Sequence, residues 1–139
     1  MNIPANKVLL IDDDEIQNEM LKGTLEMYSM VVATESSPLN ALKTAGRFKP
    51  NVIICDIVMP GKTGSRVARD LQEHPATKHI PIIFLSSLVT KREEDASTAT
   101  RIMMAKPVNT PLLVDHIRRL ASPPEKPKGI VPAPPPSGQ

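Results

Sequence analysis

The sequence predicts one α/β domain on a five-stranded parallel sheet, and three observations carry that expectation. Five short runs of consecutive apolar residues lie between Val8 and Ala105, each suited to a strand buried on both faces. Longer amphipathic stretches separate these runs, and strands alternating with helices build a parallel sheet with right-handed crossovers. The chain has 139 residues, the length of a single domain with one core.

The elements follow in order. Val8 to Ile11 is the first strand. Asp14 then caps a helix whose apolar stripe is Ile16, Met20 and Met27 at i, i+4 and i+7 type spacings, with Leu21, Leu25 and Tyr28 alongside. Met30 to Ala33 is the second strand. Ser37-Pro38 supplies a cap with proline in the first turn, and Leu39 with Leu42 marks the second helix. The third strand, Val52 to Cys55, precedes a helix started by Thr63 and striped by Val67 and Leu71. After the fourth strand, Ile82 to Leu85, the stretch Val89 to Thr100 is the fourth helix. It carries little apolar stripe, and its Lys91 to Asp95 cluster reads as a solvated helix start. Ile102 to Ala105 is the fifth strand, and Asn109 opens a last helix with Leu113, Ile117 and Leu120 on one face. Five strands and five helices fit a flavodoxin-like, doubly wound sheet of order 2-1-3-4-5. Strands one and three then meet at a topological switch point, where ligands bind beyond the carboxyl ends.

Composition sets the boundaries. Of 15 prolines, seven follow Ser122, which predicts a domain over residues 1–122 and a Pro-rich disordered tail or linker over 123–139. That tail has too little apolar surface to offset its ordering entropy. Seventeen basic against 15 acidic residues give a net charge of +2, too little to imply nucleic acid or an anionic membrane. The only aromatics are Tyr28, Phe48 and Phe84, too few for a base-stacking platform. A single cysteine, Cys55, excludes an internal disulfide and favours a reducing compartment. The first apolar run is too short for a signal core or a membrane span, so a cytoplasmic protein is expected.

Chemistry is expected at the strand ends. The first strand runs into Asp12, Asp13 and Asp14, and the third ends in Cys55 and Asp56. Carboxylates crowded together repel unless some are protonated or a hard divalent cation lies between them, and Mg2+ prefers oxygen ligands. The fourth strand ends in Ser86 and Ser87, the fifth in Lys106. A hydroxyl and an ammonium on that rim suit the oxygens of a phosphoryl group. The set fits phosphoryl transfer to a carboxylate, with Asp56 as acceptor, because it stands alone at its strand end before a Met59-Pro60-Gly61 turn.

These residues resemble the receiver domain of bacterial two-component response regulators. The resemblance spans residues 6–121 and rests on VLLIDDDE, VIICDIVMPGKTG, PIIFLSS and AKP, in that order. It implies that Asp12 and Asp13 hold Mg2+ together with Asp56 and the carbonyl of Val58, and that Asp56 is phosphorylated by a histidine kinase or phosphotransfer protein. It further implies that Ser86 is the switch hydroxyl and that Lys106, before a cis-proline at Pro107, contacts the phosphoryl group. Met103 stands where the family has a switch aromatic, Ser87 where it usually has alanine, and the interval from Ser86 to Lys106 is slightly short. The output is expected through a downstream protein target or a C-terminal output domain in a longer chain. The residues after Ser122 are too few for a DNA-binding or catalytic domain.

The same residues admit rival readings. A haloacid-dehalogenase-like phosphatase would use Asp12 and Asp14 but leaves Asp56 idle. A non-phosphorylated interaction domain would not need the set Asp12, Asp13, Asp56, Ser86 and Lys106. Pro60 spoils the P-loop-like Gly61-Lys62-Thr63. His74, His79 and His116 share no metal-ligand spacing. Cys55 is expected to face away from Asp56 as a small hydrophobe, and the methionines to pack in the core. The expectation is therefore a signalling module, not an enzyme.

Overall fold

A computed structural model describes residues 6–57, 64–86 and 101–121. Strands β1 (Lys7–Ile11), β2 (Val31–Glu35), β3 (Val52–Asp56), β4 (Ile82–Ser86) and β5 (Arg101–Ala105) form one sheet. All neighbours pair in parallel in the order β2-β1-β3-β4-β5. Each apolar run of the sequence is a strand of this sheet, with ends shifted by one or two residues. The described helices are α1 (Glu15–Glu26), α2 (Ala41–Phe48), α3 (Gly64–Glu73) and α4 (Thr110–Ala121), with a 3-10 turn at Pro38–Asn40 before α2. The helix expected over 89–100, the Thr63 cap, the Met59-Pro60-Gly61 turn, Val58, Ser87 and the tail lie outside the described residues.

Side chains alternate across the strands and so divide the core in two. Val8, Leu10, Val52, Ile54, Ile83, Leu85, Ile102 and Met104 pack under Leu25 of α1 and Leu113, Val114 and Ile117 of α4. On the other face Leu9, Ile11, Ile53, Cys55, Ile82 and Phe84 meet Ala41 and Ala45 of α2 and Val67, Ala68 and Leu71 of α3. Central strands covered on both faces explain why their sequences read as unbroken apolar runs. β2 is an edge strand and departs from that pattern: Val31 is 47 % exposed and only Val32 is buried.

Two expected helix faces are corrected. In α1, Ile16 and Met20 are exposed, as is Met27 just beyond its end, and the buried positions are Asn18 and Leu25, with Leu21 partly buried. At 100° per residue the two stripes lie roughly 150° apart, so the helix carries apolar residues on nearly opposite sides. The Asp14 side chain, which accepts from Ile16 N and Gln17 N, fixes the start of the helix and thereby its rotation. In the second helix Ala41 and Ala45 are buried and Leu42 packs against the core as expected, while Leu39 is exposed. The methionines accordingly divide: Met30 and Met104 are in the core, Met20 and Met27 are not. The last helix follows the sequence closely. Asn109 Oδ1 accepts from Leu112 N at its start, and Leu113 and Ile117 are fully buried.

Candidate functional site

The carboxyl ends of the strands lie along one edge of the parallel sheet, with β1 next to β3, β3 next to β4 and β5 beyond β4. Asp12 follows β1 directly, and Asp56 is the last residue of β3. One carboxylate oxygen each from Asp12, Asp13 and Asp56 lies within 4.8 Å of the others. Lys106, which follows β5, sends Nζ to 3.5 Å from Asp12 Oδ2 and 3.7 Å from Asp56 Oδ1. The side chains of Asp12 and Asp56 are 14 % and 12 % exposed and that of Lys106 27 %, so water screens this contact less than at an open surface. The Lys106–Pro107 peptide is cis.

The local chain explains these placements. Asp12 N donates to the carbonyl of Glu35 on β2, and Asp12 Oδ1 accepts from Asp14 N, closing a tight turn. Asp14 caps α1, so of the three successive aspartates two contribute to the cluster and the third starts the helix. Ser86 ends β4 opposite Ala105 and is 2 % exposed. Met103 is paired with Phe84, two residues earlier in the same register, and packs on the Phe84 side of the sheet. Ser86 and Met103 therefore project to the same face. A cavity of about 740 Å³ adjoins the carboxylates, lined by Asn18 and Leu21 of α1 and by Lys106, Pro107 and Val108.

Cys55 is buried and free, packs on the α2–α3 side, and donates through Sγ to the carbonyl of Asp56 at 3.3 Å. Burial first, then the charges of Asp56 and Asp12, push its thiol up to about 12, so it is a neutral packing group at pH 7. Among the histidines, His74 Nδ1 accepts from Ala76 N in the loop after α3. His116 lies against Arg119 on α4, where burial and then that guanidinium lower its pKa.

Among the described residues the cluster consists of three carboxylates, an all-oxygen donor set that fits a hard cation such as Mg2+. Lys106 neutralises part of their charge. Asn18, which the apolar pattern of the sequence does not mark as a residue of this region, is brought there by the fold. Its signal was present, since Asn18, Leu21 and Leu25 are spaced i, i+3 and i+7, but a polar residue opening that stripe favoured the all-apolar alternative.

Comparison with known proteins places this architecture. The response regulator receiver domain matches residues 8–118. The response regulator PleD of Caulobacter vibrioides is 29 % identical over 116 residues, covering 82 % of this chain and 26 % of PleD. The chain thus spans about a quarter of that relative's length. The polar-differentiation response regulator DivK of Brucella ovis is 24 % identical over 116 residues, 82 % of this chain and 94 % of DivK. Among solved structures, the receiver domain of a signal transduction histidine kinase from Syntrophus aciditrophicus aligns with a TM-score of 0.74 at 27 % identity, covering 91 % of this chain and 97 % of that one. Vibrio cholerae chemotaxis protein CheY4 aligns with a TM-score of 0.72 at 29 % identity, covering 84 % and 99 %. A match running from within β1 to within α4 takes in every strand of the sheet, and the chain belongs to the response regulator receiver domain family.

Proposed function

We propose that this chain is the phosphoacceptor signalling module of a two-component phosphorelay. Asp56 takes a phosphoryl group from a histidine kinase or phosphotransfer protein, and the domain's interaction surface shifts in response. One observation carries the reading: carboxylates of Asp12 and Asp13, after β1, and of Asp56, at the end of β3, converge within 4.8 Å, and Lys106 spans Asp12 and Asp56. An Asp56 oxygen forms the new bond to phosphorus as the bond to the donor's leaving group breaks, and the leaving group departs with the electron pair. Asp12, Asp13 and Asp56, with the Val58 carbonyl, would hold Mg2+. When bound, the ion neutralises charge on the phosphoryl oxygens. Lys106 supplies a second positive charge there, and Ser86 a hydroxyl donor, with Met103 as the side chain that responds on β5.

The phosphatase reading through Asp12 and Asp14 finds no support, since Asp14 is engaged in capping α1. A signalling role rather than turnover of a substrate, and a cytoplasmic setting, accord with a family of receiver domains. No helix among the described residues is long and apolar enough to cross a membrane. The output is either a separate protein target or a domain elsewhere in a longer chain.

The test is phosphorylation by acetyl phosphate with Mg2+, read by intact mass. Wild-type protein gains one phosphoryl group, whereas Asp56→Asn gains none. Labelling of Asp56→Asn to the wild-type extent would overturn the assignment.

A further inference from the structure

Three polar side chains are buried among the described residues: Asn18, Thr77 and Ser86. Thr77 ties the loop after α3 to the carbonyl of Leu71, a purely local bond. Asn18 is different. It is 4 % exposed on α1, yet its Nδ2 donates at 2.9 Å to the carbonyl of Asp12. That carbonyl belongs to the peptide joining Asp12 to Asp13, the two residues whose carboxylates complete the cluster with Asp56.

We propose that Asn18 is a positioning residue for the acidic site, pinning the Asp12–Asp13 peptide so that both carboxylates face Asp56; the inference rests on the phosphoacceptor reading above. A peptide plane is rigid, and rotating it changes ψ of Asp12 and φ of Asp13 together. Fixing the carbonyl sets ψ of Asp12, and that torsion together with φ of Asp13 sets the direction of the Asp13 side chain relative to that of Asp12. The turn is held from three sides. Glu35 accepts from Asp12 N, Asp12 Oδ1 accepts from Asp14 N, and Asn18 fixes the carbonyl. The first two bonds leave that carbonyl unrestrained. Asn18 comes from the helix that Asp14 caps, so helix rotation and carboxylate direction are set by one compact network. The same side chain lines the cavity beside the carboxylates. Groups that orient ligands without touching the metal typically govern 10- to 100-fold in affinity.

The experiment is calorimetric Mg2+ binding by the full chain, with melting in chelator as a separate measure of folding. Asn18→Leu keeps the side-chain shape and removes the donor; Asn18→Gln retains a donor. Asn18→Leu is expected to weaken Mg2+ binding by about 10- to 100-fold while its melting temperature in chelator stays near wild type, and Asn18→Gln to bind more tightly than Asn18→Leu. Binding by Asn18→Leu within twofold of wild type, or weaker binding by Asn18→Gln than by Asn18→Leu, would overturn the proposal. If Asn18→Leu fails to fold, Asn18→Ala is read by the same criteria, and collapse of both would overturn it by assigning the residue to the fold instead. Failure of the underlying reading looks different: wild-type protein would then bind no Mg2+, or Asp56→Asn would still be phosphorylated.

Discussion

Removing one carboxylate from the cluster should stabilise the metal-free protein and penalise the metal-bound one. Asp13 is the informative residue because it is exposed and has an oxygen within 4.8 Å of oxygens on both Asp12 and Asp56. At that distance two unit charges repel by about 0.9 kcal/mol at the dielectric constant of water. Salt near 0.1 M reduces each pair further, because the Debye length is about 10 Å. Two screened pairs then sum to about 1 kcal/mol, the appropriate scale for an exposed group. In chelator Asp13→Asn should therefore unfold at higher urea, by about 0.5 M for a slope of about 2 kcal/mol/M. Adding Mg2+ reverses the order. At 100 times its dissociation constant the ion stabilises the wild type by about 2.7 kcal/mol, whereas a variant bound about 100-fold more weakly gains only about 0.4 kcal/mol. The assay is urea unfolding of both proteins in chelator and in saturating Mg2+. Equal midpoints in chelator would refute the repulsion, and equal gains from Mg2+ would refute Asp13 as a ligand.

Two further outcomes test the packing. Leu25→Ala should cost about 2 to 5 kcal/mol, the range for deleting a buried leucine, because Leu25 is 0 % exposed. Met27→Ala, at 85 % exposure, should change stability by less than about 0.5 kcal/mol in the same denaturant titration. A large loss at Met27 would restore the face expected from the sequence. For Cys55, a thiol near 12 in the fold and 9.0 when unperturbed differ by a factor of about a thousand in thiolate at pH 8. Native protein should react with a thiol reagent at least that much more slowly than protein in denaturant, and comparable rates would show that the thiol is not buried.

The sequence alone determined the sheet, because the central strands are covered on both faces and must be apolar at every position, a signal that needs no knowledge of neighbours. The strand order was accessible from the alternation of strands and helices, which fits a flavodoxin-like order and puts the acidic residues after the first and third runs at its switch point. Residue type put Asp12, Asp13, Asp14 and Asp56 forward as an all-oxygen donor set, the resemblance to receiver domains singled out Asp12, Asp13 and Asp56, and the fold brings those three together. Tertiary structure decided which side of α1 meets the sheet. Ile16, Met20 and Met27 form an all-apolar stripe, whereas the buried face joins Leu21 and Leu25 to the polar Asn18, so periodicity alone does not single out the buried face. The cap by Asp14 and the bond from Asn18 to Asp12 made that choice, and both depend on how the turn after β1 sits against β2. Only the assembled sheet brings Lys106 to Asp12, 94 residues earlier in the chain. Burial of Ser86, exposure of Val31 on the edge strand and the shared face of Ser86 and Met103 likewise follow from strand neighbours, because accessibility is a property of what lies alongside rather than of the local sequence.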